Sequence, residues 1–259
     1  AELWEDVRTL TWTIRDYLHL QGHWVEEVAV LQTGLAAAVS AEAHYDEGLF
    51  LNFLGVACAA LGETYKAIEY YEQALAIAHE IGDRWVEGIA LGCLGNAYSD
   101  LSETRKAIEY HNQYLTIAHE IGDRRGEGNA LGNLGNAYAD LGETLKAIEY
   151  HEQALAIDRE VGDRRGEGAD LGNLGNAYKN MGETRKAIEY YEQRIAIARE
   201  IGDRRGEGNA LWNMSLAREE LDDRARAIEF AKTAIKIYEE IEDPKTEKVR
   251  RKLQEWSHQ

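Results

Sequence analysis

The triplet Gly-Asp-Arg stands at 82–84, 122–124, 162–164 and 202–204, a strict 40-residue period that no single globular core requires. Segments 122–161 and 162–201 agree at 29 of 40 positions. The string LGNLGNAY occurs at 131–138 and 171–178, with LGCLGNAY at 91–98, and KAIEYYEQALAIA-like text follows at 66–78, 106–118, 146–158 and 186–198. A fixed period in this range predicts a stack of supersecondary units, each too small to bury its own apolar face. The period weakens outward. Gly22 and Gly62 hold the register of Ser102, while the run Gly22-His23-Trp24 opens a degenerate first unit. The sixth unit keeps Ala227-Ile228-Glu229 but carries Trp212-Asn213-Met214-Ser215 in place of the Asn-Gly text. Atypical ends around near-identical centres are expected where terminal units act as caps.

Each unit reads as two helices. Leu131, Leu134, Tyr138 and Leu141 follow one helical face, and Ile148, His151, Leu155 and Asp158 mark a second. Gly142-Glu143-Thr144 punctuates the join, with Thr144 predicted as an N-cap. Gly162 is placed to stop one helix and Asp163 to cap the next. Asp243-Pro244 predicts the start of a last helix whose Val249, Leu253 and Trp256 share a face. The expectation is an all-α chain of thirteen helices. Six hairpins lie at about 3–40, 44–81, 84–121, 124–161, 164–201 and 204–241, with a capping helix at 244–256, and the whole of 1–259 forms one domain.

Composition excludes several functions. With 47 acidic against 29 basic residues the net charge is −18. That disfavours nucleic acid, whose binders neutralise phosphates with Lys and Arg, and it opposes anionic membrane surfaces. It favours a ligand with some positive charge. No apolar stretch approaches the length of a membrane span. Cys58 and Cys93 form no CxxC and read as small buried fillers in a reducing, cytoplasmic setting. The start at Ala1, without a methionine, points to an excised fragment.

Leu131, Leu134-Gly135, Tyr138, Gly142, Ala147 and Ala154 resemble the tetratricopeptide repeat, with His151 where that family usually has an aromatic and Tyr71 and Tyr191 restoring it elsewhere. The resemblance spans roughly residues 4–241 and implies a right-handed α-solenoid whose first helices line a concave groove. The 40-residue unit with its LGNAY and GDR text is similar to the repeats of LGN/Pins polarity adaptors. It is equally similar to the arrays at the C-terminal end of bacterial STAND ATPases of the NB-ARC and NACHT type. Trp12, Tyr17-Leu18, Gly22-His23-Trp24 and Leu35-Ala36-Ala37-Ala38 resemble the degenerate first repeat that follows the ATPase in the latter. That implies a nucleotide-binding domain upstream in a parent chain, since no nucleotide-binding motif lies within this one.

On the first helices, Arg125, Asn129, Asn133, Asn136 and Asp140 keep within one face, with Gly132 beside them. The period turns these into columns: Asn96, Asn136 and Asn176; Asn133, Asn173 and Asn213; Asn129 and Asn209; Arg125, Arg165 and Arg205, with Trp85 in the corresponding place. Asparagine is a mediocre helix former, so its repetition on one face needs a reason. Its amide offers both donors and acceptors to an extended peptide, and peptide-binding members of the resembled family use asparagines at the positions of Asn133 and Asn136. The alternative is that neighbouring asparagines bond one another and stabilise the stack. The Gly135-type glycines are expected to be close-packing positions within the hairpin.

The eight histidines form no credible metal site, since Gly22 breaks the geometry of His19 and His23, while His79 and His119 share one repeat column and His111 and His151 another. No catalytic constellation or cofactor is implied. The expected function is recognition of a protein or peptide in the groove by a monomeric module, as the ligand sensor of a STAND-type ATPase. A free-standing adaptor is the alternative, and so is a structural array without a dedicated ligand.

Overall fold

A computed structural model describes residues 2–258, so the outermost residues of the expected 1–259 domain lie outside it. Among the described residues there are thirteen α-helices and no strand. The chain divides into two compact units, residues 1–133 and 134–259. The first holds α1 (Glu2–Gln21), α2 (Trp24–Ser40), α3 (His44–Ala60), α4 (Thr64–Ile81), α5 (Arg84–Asp100) and α6 (Thr104–Ile121). Helix α7 (Arg124–Asp140) contributes residues to both. The second unit continues with α8 (Thr144–Val161), α9 (Arg164–Asn180), α10 (Thr184–Ile201), α11 (Arg204–Glu220), α12 (Arg224–Glu240) and α13 (Lys245–His258).

Short, repeated turn chemistry makes the hairpins. Gly82, Gly122, Gly162 and Gly202 adopt φ of 69–73°, the left-handed conformation that ends a helix cheaply only for glycine. The amide N–H of Asp163 then reaches back to the Asp158 carbonyl at 2.8 Å. The Asp163 carboxylate next accepts from the N–H groups of Arg165 and Gly166 and so caps α9. The opposite turn differs from expectation. Thr144 is the first residue of α8, and its N-cap is Glu143, which makes no side-chain cap bond. Leu141 likewise falls in this turn and is 40% exposed, not part of the buried face.

Within each unit helices pack on their sequence neighbours, as in α3–α4–α5–α6 and α9–α10–α11–α12. The first helices of successive hairpins also touch, α3 against α5 and α9 against α11, and among the described residues the second helices show no comparable packing. The first helices therefore sit on the inner side of each stack. In the second unit one core runs from Ile148 and Leu155 through Leu174, Tyr191, Met214 and Tyr238 to Val249 and Trp256, so α13 covers the end as its pattern predicted. In the first unit Leu31, Phe50, Leu54, Tyr71 and Leu94 are buried, with Trp12 stacked on Phe50 at 4.6 Å.

Candidate ligand-binding site

The first arginine and the glutamate of the GDRRGEG text are structural. In each central unit a Glu three residues after the motif's first Arg is buried: Glu87, Glu127, Glu167 and Glu207. Each carboxylate is held by that arginine (Arg84, Arg124, Arg164, Arg204) and by a cationic or imidazole group from the preceding helix. The latter are His79, His119, Arg159 and Arg199. Arg84, Arg164 and Arg204 also reach Glu120, Glu200 and Glu240 on the partner helix of the same hairpin. A buried carboxylate needs such pairing to remain ionised at tolerable cost, so this arginine is committed to the stack.

Glycine opens the hairpin at one point. A Cβ on Gly135 would stand 2.7 Å from the His151 ring, and Gly55, Gly95 and Gly175 face Tyr71, His111 and Tyr191 in the same way. The expected close-packing role is what these positions show. After Gly95, Gly135 and Gly175 the next residue is an asparagine.

Those asparagines pair. In the first unit the Asn133 amide donates to the Asn96 oxygen at 3.1 Å. In the second, Asn173 donates to Asn136 and Asn213 to Asn176, both at 2.9 Å. The rung thus links each first helix to the next. An asparagine amide has two N–H donors and a two-lone-pair oxygen, so the rungs consume only part of its capacity. The two N–H groups of Asn136 and Asn176 are not engaged by the ladder, nor are the oxygens of Asn173 and Asn213. Asn96, Asn136 and Asn176 are exposed. The face therefore carries a column of donors beside a column of acceptors, with the spacing of the repeat. The structure shows the internal pairing, and that pairing leaves the amide capacity that the ligand-facing reading requires.

The remaining expected residues vary in availability. Half-buried Asn209 accepts from Tyr238 Oη at 2.9 Å and Lys245 Nζ at 2.7 Å, which engages its oxygen and not its N–H groups. Asn129 is exposed and bonds the Tyr114 hydroxyl, whose pKa burial pushes up to about 12. Arg205 lies 3.3 Å from Asp243, the capping carboxylate of α13. Arg125 and Arg165 are exposed at the starts of α7 and α9, and Trp85 is 47% exposed at the start of α5. Trp212, by contrast, is buried against Trp256, 6.2 Å between ring centres. Two hollows open along the second unit. One of about 420 Å³ is lined by Asn136, Asp140, Thr144, His151, Asn176 and Asn180 among others. The other, about 190 Å³, lies against Gly172, Asn173, Asn209, Asn213 and Arg194. Asn173 and Asn176 wall both.

Sequence reasoning missed a buried polar triad. His151 Nδ1 lies 2.9 Å from Asp170 Oδ1, and Asp170 also bonds Asp158. All three are at most 6% exposed. Burial first, and then the neighbouring Asp170 charge, push the Asp158 carboxyl up to about 7; burial also raises Asp170. The signal was in the period: Ala78, Ala118 and Ala198 occupy the Asp158 column, and Ala90, Ala130 and Ala210 the Asp170 column. Both cysteines are free, and burial raises the Cys93 thiol to about 12. Among the described residues no group of His, Cys, Asp and Glu could hold a metal ion, and no helix is long and apolar enough to cross a membrane.

The tetratricopeptide-repeat profile matches residues 46–120 and 126–200, more than half of the chain. The chain belongs to the tetratricopeptide repeat family. That fold is a protein-interaction repeat, and solved structures share it at low identity. BtubC (BKLC) from P. vanneervenii is 19% identical with a TM-score of 0.75, over 85% of this chain and 92% of that one. The signal transduction ATPase with numerous domains (STAND) from Pyrococcus horikoshii, which has a tetratricopeptide repeat sensor, is 22% identical with a TM-score of 0.72. This chain covers 37% of that protein with 90% of its own length. A Rap protein complexed with Competence and Sporulation Factor is 17% identical with a TM-score of 0.71, over 97% of this chain and 75% of that one. No curated protein matches the chain.

Proposed function

We propose that the chain is a recognition module that holds a protein or peptide segment along the first helices of its hairpins, as the ligand-sensing part of a STAND-type signal-transduction ATPase. The asparagine rungs carry this reading. Helix stability alone would favour alanine at these positions, whereas each rung leaves donors in one column and acceptors in the next. An extended backbone presents N–H and C=O groups that match such a face. The contact residues are Asn96, Asn129 and Asn133 in the first unit and Asn136, Asn173, Asn176, Asn209 and Asn213 in the second. Arg125, Arg165, Arg205 and Trp85 lie at the margin, where they select among side chains.

The sensor role is supported by likeness to the STAND protein and by the N-terminal text that resembles the repeat after an ATPase. Ligand binding would shift the upstream domain only to the extent that it favours one state over the other. The free thiols agree with a reducing, cytoplasmic setting, and the module acts as a monomer. A free-standing scaffold is the second reading, favoured by the 92% coverage of BtubC. Two experiments test these. Affinity capture from host lysate compares wild type with a folded variant in which Asn133, Asn136, Asn173 and Asn176 are Ala, and the reading expects a partner lost from the variant. The parent gene should encode a nucleotide-binding domain upstream; a gene without one leaves only the scaffold.

A further inference from the structure

The hollow of about 420 Å³ in the second unit differs chemically from the rest of the groove face. In the hairpin of α9 and α10, Tyr191 holds the corresponding position and walls the smaller hollow of about 190 Å³; it is fully buried, and its hydroxyl bonds the Asn176 oxygen at 2.9 Å. In the hairpin of α7 and α8 the residue is His151, a smaller five-membered ring without the hydroxyl, and a cavity stands beside it. His151 is 1% exposed, and its Nε2 is buried without a hydrogen-bond partner. Such an orphan is costly unless something completes it.

The triad fixes what could complete it. Asp158 holds its proton to higher pH than an ordinary aspartate and shares it with Asp170. Asp170 is thereby an acceptor for His151 Nδ1–H. With the proton on Nδ1, Nε2 is a lone pair that seeks a donor. The polar rim adds the carboxylate of Asp140, the Asn136 and Asn180 amides and the Thr144 hydroxyl. His111 occupies the same column in the first unit but has Ala130 where Asp170 stands, and burial lowers its pKa to about 4. The arrangement around His151 is therefore particular to one hairpin.

We propose that this hollow is a subsite for a basic side chain, an arginine guanidinium or lysine ammonium of the bound segment, which donates to His151 Nε2 and sits against Asp140. This rests on the groove reading, because Asn136 and Asn176 wall both the hollow and the ladder. The chemistry suits the acidic chain, whose net charge of −18 attracts cationic segments. Acidic or apolar side chains would leave the Nε2 lone pair unmet and the Asp140 carboxylate opposed.

The test titrates the intact, ¹⁵N-histidine-labelled protein with N-acetyl-arginine methylamide, with its neutral isostere N-acetyl-citrulline methylamide, and with N-acetyl-glutamate methylamide. The readout is the His151 side-chain nitrogen resonance, assigned by its loss in His151→Tyr. Asp158→Ala and Asp170→Ala accompany that change, because alanine stands at those columns beside Tyr71 and Tyr191 (Ala78 and Ala90, Ala198 and Ala210) and His151→Tyr alone would strand the buried Asp170 carboxylate. The expected result is a saturable shift of Nε2 with the arginine probe, roughly tenfold weaker with citrulline as befits loss of a charge-assisted bond, and none with glutamate. Asp140→Asn should weaken the arginine probe severalfold, and His151→Tyr should abolish its binding, both read by shifts of the groove amides. A citrulline probe that binds as well as arginine, or no saturable shift at His151 with either, overturns the subsite. Neither result touches the ladder, which is tested separately on Asn136 and Asn173.

Discussion

At the residue scale, the most informative departures are places where one unit breaks a column that the others keep. Asp158 and Asp170 replace alanines and build a buried triad with His151. An aspartate whose folded pKa is raised adds stability that is complete below its unfolded pKa, near 4, and is lost as pH rises toward about 7. Asp158→Ala keeps the Asp170–His151 bond and removes that loss. The variant should gain on wild type between pH 5 and pH 8, by on the order of 1–2 kcal/mol at the upper end. Thermal melts at both pH values check this, and an equal difference at the two would contradict it. The asparagine columns were visible in the sequence, as was their choice between pairing and ligand contact. That the pairing leaves part of each amide unused was not visible, because it depends on which amide oxygen faces which neighbour across 37 residues of chain.

At the element scale, helix boundaries were legible wherever a turn needs a special backbone conformation. Gly162 and Asp163 end and cap their helices as the pattern required. Thr144 was misplaced because Glu143 takes the cap position without a side-chain bond, so no residue type advertises that start. The same turn offers a prediction. Gly62, Gly142 and Gly182 have φ of 75–79° there, but Ser102 occupies the equivalent point at φ 60°. A non-glycine residue in this region costs about 1 kcal/mol, so Ser102→Gly should raise the urea midpoint by a correspondingly small amount. The reverse is expected at Gly135, where a methyl group would meet the His151 ring at 2.7 Å. Gly135→Ala should destabilise by roughly 1–3 kcal/mol through overpacking. A variant as stable as wild type would show that the hairpin can separate without cost.

At the scale of the whole molecule, the all-helical repeat architecture was legible because a 40-residue period leaves few folds open. We propose that the chain unfolds as one cooperative structure, since no single hairpin buries enough surface to stand alone. Urea unfolding followed by tryptophan fluorescence and by far-ultraviolet circular dichroism should then coincide. Two transitions dividing near residue 133 would make the two compact units independent domains. The identity of the ligand was beyond the sequence, because repeated asparagines match any extended backbone and no motif specifies a side chain.

The central claim, that the asparagine rungs face a ligand as well as each other, is tested most directly by removing one whole rung. Asn136→Ala with Asn173→Ala deletes both members of a pair, so neither is left without a partner, and such paired removal is nearly neutral for stability. The measurement is the dissociation constant of peptides selected by wild type from a random-sequence display library, taken alongside the melting temperature. The account predicts a melting temperature within a few degrees of wild type and affinity weakened about tenfold or more, the equivalent of one or two lost hydrogen bonds. A variant that binds those peptides as well as wild type does, while melting well below it, would contradict the account and make the rungs internal fasteners alone.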